Sequence, residues 1–355
     1  MSGKPIRLRG EKVREFILKL IETNDSDLLS KTMNQFGIQK QAVNKHLKEL
    51  LRSGLITKSG SYKNPKYSLI KLVSFNQDFA LTPEISEDEI WAETVKPLIA
   101  ELPANVVKIW QHAFTEMFNK VIDHSGAKSV TVAITKNAQE VQIRIRDTGI
   151  GIFKKLKDAF NLHDETHAIF ELSKGKLTTD AKNHSGEGIF FTSRMLDKFM
   201  ILSGHLCYHH KFDHQKDFLI ESKDSPIQGT SVVMYLRNNV ARTTKQVFDE
   251  YSSTDGDYGF NKTVIPIALA EYGIDSLVSR SQAKRVLARV ELFEHIVFDF
   301  NGVEEIGQAF ADQIFRVFQI DHPNTKLTAV NLSPNVADMV SRAKTAYMNY
   351  MQSQS

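Results

Sequence analysis

The hydrophobic positions in the first 72 residues follow the spacing of three short helices and a β-hairpin. Residues 10–23 and a segment ending at Phe36 carry apolar residues three and four positions apart, and Gly37 separates that second segment from a third. The third segment begins at residue 39 and has its apolar residues on one stripe, with amides and cations on the opposite arc. Two short strands with a polar tip between them complete the pattern, at 55–58 and 65–70.

Helix and strand patterns continue over the rest of the chain. A polar, acidic stretch at 74–89 precedes a long helix predicted over 103–124, and strands follow at 141–146 and 231–236. After a second polar stretch, strands and helices alternate to residue 355. We therefore predict a multidomain α/β (α+β) protein. The predicted units are 1–72, a linker at 73–90, 91–238, a linker at 239–258, and 259–355.

The charge of the chain is concentrated at one end. Residues 1–72 contain 15 Lys and Arg against 6 Asp and Glu, a balance of +9, whereas the whole chain has a net charge of only +3. A compact basic unit on an otherwise acidic chain favours a polyanion partner. No apolar run approaches the roughly 20 residues that cross a bilayer, and the single cysteine, Cys207, excludes an intramolecular disulfide. We expect a cytoplasmic protein with no membrane partner.

The first unit resembles a winged helix-turn-helix domain, on the glycine turn and the sequence QAVNKHLKELLRSGLI at 41–56. The resemblance implies that double-stranded DNA is a partner, with the third helix in the major groove and the hairpin as a wing near phosphates. The alternatives are a winged helix that mediates only protein contacts and a solvated charged face. The predicted DNA-binding residues are Gln39, Lys40, Gln41, Asn44 and Lys45 of the helix, and Lys58, Lys63 and Lys66 of the wing.

Four signals occur in order in the middle of the chain. The long helix carries two acids and a lysine at i, i+4 and i+7, which share one face. An aspartate and two glycines follow the strand at 141–146, and further glycines open a helix whose free amides suit phosphate. A glycine and a threonine precede the strand at 231–236. The signals are Glu116 with Lys120 and Asp123; Asp147-Thr148-Gly149-Ile150-Gly151; His184-Ser185-Gly186-Glu187-Gly188-Ile189; and Gln228-Gly229-Thr230.

The order of these signals over residues 91–238 resembles the GHKL ATPase superfamily, whose members share the Bergerat α/β sandwich. SGEGIFF followed by QGTSVV is similar to the anti-sigma-factor serine kinases. The resemblance implies that ATP binds here, that Asp147 accepts a hydrogen bond from the adenine amino group, and that residues 152–185 form a mobile lid. It further implies that Gly149 and Gly151 shape the pocket floor, that Gly186, Glu187 and Gly188 present amides to the phosphates, that Thr230 supports the adenine, and that Glu116 is the catalytic glutamate.

One position departs from the family. Where the family has a Mg²⁺-coordinating asparagine, four residues after Glu116, this chain has Lys120, and an ammonium has no lone pair for a metal. Lys120 either replaces the metal by pairing with phosphate oxygens or forms a salt bridge with Glu116 and Asp123. Asn119 is the substitute metal ligand if the helix rotates or bulges, so a Mg²⁺ requirement stays open. We favour retained nucleotide binding over efficient hydrolysis.

The last unit resembles a STAS-like domain of unknown function, on the stretch from Ser279 to Asp312. Residues 295–312 contain neither serine nor threonine, and Gly307 to Ala309 occupy the place of the phosphorylatable serine of STAS antagonists. We therefore expect a module that docks a protein partner or dimerises, or a sensor, and the alternative is plain structural support. We also expect a homodimer. The predicted elements are strands at 263–270, 295–300 and 326–332, and helices at 279–293, 308–318 and from Ser333.

Our leading hypothesis is a nucleotide-responsive, DNA-binding transcriptional regulator, in which ATP orders the lid and repositions the winged helix. The first alternative is an anti-sigma-type protein serine kinase that acts on a partner protein. The second is a non-catalytic interaction scaffold whose pocket binds no nucleotide.

Overall fold

The computed structural model describes most of the chain, and the first unit begins it. The described residues are 4–61, 64–178, 186–214, 216–252, 259–271 and 277–354. The first unit consists of α1 (Lys4–Glu22), α2 (Leu28–Phe36), α3 (Lys40–Arg52), β1 (Ile56–Gly60) and β2 (Pro65–Leu69). The two strands pair as an antiparallel hairpin. Val13, Ile17, Val43, Leu47 and Leu50 are buried, as their helical spacing predicts, in a core whose buried residues all come from this unit, and Ala138 of the middle unit packs against it.

A seven-stranded antiparallel sheet forms the middle of the molecule. Its strands are β3 (Val73–Ala80), β4 (Ser129–Lys136), β5 (Glu140–Asp147), β6 (Lys198–Gly204), β7 (Leu206–Lys211), β8 (Lys216–Glu221) and β9 (Ile227–Arg237). Their order is β3-β4-β5-β9-β6-β7-β8. The prediction of a linker at 73–90 is wrong for residues 73–80, because the acidic and amide side chains that suggested a linker lie on an edge strand, where solvent solvates them.

Helices cover one face of this sheet. They are α4 (Glu87–Ile90), α5 (Lys96–Ile99), α6 (Ala104–His124), α7 (Ile152–Ala159), α8 (Glu165–Lys174), α9 (Gly188–Met195) and α10 (Thr244–Tyr251), with a π-helical stretch between α4 and α5. Trp110, Phe114 and Phe118 of α6 are fully buried in the core. Buried residues alternate with more exposed ones along β4, β5 and β6, the pattern of a two-layer α/β sandwich.

The last unit has a three-stranded parallel sheet. Its elements are β10 (Lys262–Pro266), α11 (Ile267–Ala270), α12 (Arg280–Val286), β11 (His295–Asp299), α13 (Gln308–Asp312), α14 (Gln319–Asp321), β12 (Lys326–Val330) and α15 (Pro334–Gln354). The predicted strand at 263–270 ends early, at Pro266, which has no amide to donate to a ladder. The predicted helix at 279–293 ends at Val286, and Arg289 has a left-handed φ of 61° that stops it.

The sheet unit and the last unit share one continuous hydrophobic core. Phe190 and Phe191 of α9 lie against Phe260, with ring centroids 4.6 and 4.9 Å away, and Phe260 contacts Phe293. The first unit instead contacts the sheet through an ion pair between Glu22 and Arg237 at 2.9 Å. None of the helices in the described residues is long and apolar enough to cross a membrane.

Candidate functional site

A cavity lies between the helical layer and the ends of the central strands. Its empty space, the open mouth included, is about 830 Å³. Apolar side chains from α6, α7, α8, β6 and β9 form most of the wall, as is typical of small-molecule pockets. The polar side chains in the wall are Lys120, His124, Ser125, Asp147, Lys155, Thr178 and Thr230, and Gly151 and Gly186 contribute backbone.

Asp147 is the buried acid of this cavity, with 3 % of its surface exposed. Its Oδ1 accepts hydrogen bonds from the amides of Gly149 at 2.8 Å and Thr230 at 3.3 Å. Its other oxygen, Oδ2, makes no hydrogen bond within the described residues. Burial raises the pKa of this carboxyl. The two backbone bonds therefore hold one oxygen in place and leave the other available to a donor on a ligand.

The glycines after Asp147 are required by close approaches of the backbone. A Cβ on Gly149 would lie 1.9 Å from the carbonyl oxygen of Ser125. Gly151 has a φ of 89°, and a Cβ there would lie 2.6 Å from Ser203 Oγ. Directly after it, the Ile152 amide donates to Thr230 Oγ1 at 3.0 Å, which ties the start of α7 to β9.

Lys120 extends from α6 into the cavity wall. Its ammonium makes no hydrogen bond or ion pair within the described residues, so neither of the proposed salt bridges, to Glu116 or to Asp123, is present. A second cation, Lys155, also lines the cavity, but its ammonium donates to the carbonyl oxygen of His124 at 2.8 Å. Burial lowers the pKa of Lys155. Lys120 is therefore the lysine of the cavity wall whose ammonium has no partner within the described residues.

The other predicted site residues of α6 and α9 lie outside the cavity wall. The carboxylate of Glu116 packs against the first turn of α9, where a Cβ on Gly188 would lie 1.9 Å from Glu116 Oε2. The residues from the predicted set that do not line the cavity formed by the described chain are Glu116, Asn119, Asp123, Gly149, Glu187 and Gly188.

The described residues that line the cavity do not fit a Mg²⁺ ion. Mg²⁺ takes oxygen ligands in octahedral geometry, but Lys120 occupies the family's ligand position and has none to give. Asn119 does not line the cavity, and α6 is an unbroken α-helix without a bulge there. Among the described residues, no group of three or more His, Cys, Asp or Glu side chains is placed to hold a metal ion.

The predicted DNA-binding residues lie on α3 and the hairpin. Gln39, Lys40, Gln41 and Lys45 are exposed, and Asn44 is half-buried. Lys58 and Lys66 are exposed and lie on opposite faces of the hairpin, because Lys58 pairs with Tyr67 and Lys66 with Ser59. Lys63 lies outside the described residues, as do His184 and Ser185.

Lys155 and Leu172 of α8 belong to the wall although neither was among the predicted site residues. Lys155 follows Gly151 by one helical turn, a spacing that could have placed it on the cavity side of α7. Leu172 and Leu177 also line the cavity. No motif marks them, because their side chains reach the cavity only through the packing of α8 on the sheet.

This fold and cavity define a GHKL-type nucleotide-binding unit followed by a STAS-like unit. Residues 105–239 match the family described as histidine kinase-, DNA gyrase B-, and HSP90-like ATPase, and residues 282–337 match the STAS-like domain of unknown function. The first match supports ATP binding. Both resemblances are thereby confirmed for these residues. No curated protein matches the chain.

Proposed function

We propose that the protein is a nucleotide-responsive DNA-binding regulator that holds ATP without a metal ion and hydrolyses it slowly or not at all. The observation that carries the proposal is the presence of two free groups in one cavity. Oδ2 of Asp147 is an acceptor for a purine amino group, and the ammonium of Lys120 is a donor for phosphate oxygens. An acceptor matches the neutral amino group at one end of a purine nucleotide, and a cationic donor matches the phosphates at the other.

The phosphate end also has backbone partners in reach of the cavity. Gly186 lines it, and Gly188 begins α9, whose first amides have no partner within the helix. Free amides and the helix dipole at an N-terminus favour an anion. The Lys120 ammonium adds a full charge that neutralises part of a triphosphate where a divalent ion is the usual partner.

Slow or absent hydrolysis follows from the same residues. Without Mg²⁺, the charge that develops on the transferred phosphoryl group lacks its usual stabilisation. The carboxylate of Glu116 packs against Gly188 and lies outside the cavity wall of the described residues. Neither observation favours the protein serine kinase, which we do not propose. The similarity to anti-sigma-factor kinases and the predicted homodimer stay predictions.

DNA binding is supported by the first unit. Three helices and an antiparallel hairpin follow in the order of a winged helix-turn-helix domain, and α3 exposes amides and cations on the face away from its core. The balance of +9 over residues 1–72 supplies the charge that duplex phosphates attract. In this proposal α3 enters the major groove and the hairpin lies on the backbone.

Removal of two cations from α3 tests this half of the proposal. The double variant Lys40→Ala, Lys45→Ala should bind duplex DNA about tenfold or more weakly, because each cation removed from the face that meets the DNA reduces the number of counterions that binding releases. Its plot of log affinity against log salt should be shallower by about two, since each contact contributes about 0.9 to the slope. Fluorescence anisotropy with labelled duplex at several salt concentrations measures both.

The matched control removes the same charge elsewhere. Lys108 and Lys128 are exposed on the sheet unit, and their double alanine variant should keep the parent slope. Equal loss in both variants would mean that only net charge matters, which contradicts recognition by α3.

Saturating ATP should shift the DNA affinity of the parent but leave that of Asp147→Asn unchanged. No shift in the parent would remove the nucleotide response from the proposal.

A further inference from the structure

Helix α8 lies between the nucleotide cavity and the last unit of the chain. Leu172, near its end, lines the cavity, while the neighbouring side chains of Glu171 and Lys174 face the last unit of the chain. Every residue from His167 to Lys174 is buried, so the helix is enclosed on both sides. A wall of the nucleotide cavity is therefore also a surface on which the STAS-like unit rests.

Lys174 crosses this interface as a buried charge. Its side chain is 2 % exposed, and its ammonium donates to Glu171 Oε1 at 2.7 Å. It also donates to the carbonyl oxygens of Ala288 at 3.0 Å and Arg285 at 3.3 Å, just beyond and within the last turn of α12. A cation stabilises the negative end of a helix dipole. Burial lowers the pKa of Lys174, and Glu171 opposes that shift.

Arg289 reaches back from the last unit to the same carboxylate. Its guanidinium donates to Glu171 Oε2 at 2.9 Å and lies 4.6 Å from the centre of the Phe160 ring at the end of α7. Arg289 holds its left-handed backbone without a glycine's freedom. One carboxylate, 1 % exposed, thus joins one cation from each unit. We call Glu171, Lys174 and Arg289 the α8 ion cluster.

The backbone beside the cluster is equally close to the last unit. Thr263 Oγ1, on β10, donates to the carbonyl oxygen of Lys174 at 2.6 Å. A Cβ on Gly175 would lie 2.6 Å from the ring of Phe260. Side chain and backbone together fix α8 to the STAS-like unit, so the position of the cavity wall depends on that contact.

We infer that docking of the STAS-like unit on α8 through this ion cluster sets the nucleotide affinity of the cavity, and that nucleotide binding in turn strengthens the docking. The inference rests on the proposed nucleotide-binding function and assigns its regulation. Whatever binds the STAS-like unit and loosens the contact would release nucleotide, because linkage between two sites is reciprocal.

The physical basis is the cost of a partly opened cluster. A buried charge separated from its partner but still out of water is costly, so the contact is either complete or opened to solvent. Nucleotide biases this equilibrium because its cavity has the Leu172 wall only in the docked arrangement. This equilibrium concerns the contact between α8 and the STAS-like unit, and it needs no movement of the first unit.

Arg289→Gly opens the cluster without backbone strain, because glycine accepts the left-handed φ. The dissociation constant for ATP, measured by calorimetry, should rise about fivefold or more, the usual range for coupled sites. Arg289→Lys keeps the cation and should recover part of the affinity. The control is Arg316→Ala, since Arg316 pairs with Asp312 inside the last unit, is 29 % exposed where Arg289 is 33 %, and should leave ATP affinity unchanged.

Hydrogen exchange on the full chain gives a second measurement. Its result would not change with ATP as described below if the α8 ion cluster had only a structural role. ATP should increase amide protection in α8 and also in residues 280–292 of the parent, and only in α8 of Arg289→Gly. Parent-like ATP affinity in Arg289→Gly, or no ATP-dependent protection in 280–292 of the parent, would overturn the inference and leave nucleotide binding intact. If the parent itself binds no ATP, the proposed function fails and the inference with it.

Discussion

Replacing Asp147 by asparagine is expected to reduce ATP affinity by about a hundredfold or more. The asparagine keeps an oxygen that can accept from the amides of Gly149 and Thr230, so the loop should stay folded. It replaces the free Oδ2 by an NH₂ group, which meets the purine amino group donor to donor. A site built around one buried hydrogen bond discriminates strongly when the partner is mismatched. Calorimetric titration with ATP measures the loss.

Two comparisons make this result specific. Asp158→Asn removes an exposed carboxylate of α7 and should bind ATP like the parent. Because burial raises the pKa of Asp147, the parent's affinity should begin to fall on acidification at a higher pH than an ordinary aspartate would give, as the carboxylate is protonated. Equal ATP affinity in the parent and Asp147→Asn would show that the cavity does not hold the purine as proposed.

ATP binding is expected to be nearly independent of Mg²⁺ and to depend on Lys120 instead. The parent should have the same dissociation constant for ATP in excess EDTA as in millimolar Mg²⁺. Lys120→Ala should lose about ten- to a hundredfold in EDTA, since a charge-assisted bond in a partly enclosed site contributes about 1.5–3 kcal/mol. Titrations of the parent and of Lys120→Ala, each in EDTA and in Mg²⁺, measure the two effects.

Replacing Lys120 by asparagine, the residue of the family pattern, should make ATP affinity depend on Mg²⁺. Lys120→Asn supplies an oxygen ligand, so its ATP affinity should fall in EDTA and recover when Mg²⁺ is added. Lys108→Ala, on an exposed position of the same helix, should behave like the parent. A parent that binds ATP only with Mg²⁺ would contradict the role of Lys120 and would require a metal ligand outside the described residues.

The contacts between the three units determine how ATP binding can affect DNA binding. Strand β5 ends at Asp147 in the cavity, and it begins at Glu140, beside the contacts of the first unit at Ala138 and Arg237. Eight residues of strand separate these ends by roughly 23 Å. Helix α8 touches the STAS-like unit directly. The contacts of the first unit at Ala138 and Arg237 lie at the end of β5 away from the cavity, so we expect a response of DNA binding to pass through the sheet or the STAS-like unit.

The local chemistry of the cavity was readable from the sequence. An aspartate followed by closely spaced glycines requires a backbone that other residues cannot adopt, and the structure shows Gly149 and Gly151 in such places. The apolar stripes of α1 and α3 predicted buried faces because a helix repeats every 3.6 residues whatever surrounds it. The acidic strand β3 was missed, because an edge strand needs few apolar residues and its partner β4 lies about fifty residues later.

The sequence by itself determined the features whose causes are local: helical stripes, glycine turns, and the presence of a cation, Lys120, where the resembled family has a metal ligand. Only the tertiary structure decided which groups are left unpaired in the cavity and which units touch. Glu171 and Arg289 are 118 residues apart in the chain, and neither residue signals the other. They come into contact because the two units bury apolar surface against each other. The hydrophobic effect that drives this packing depends on the buried area and leaves no motif in the sequence.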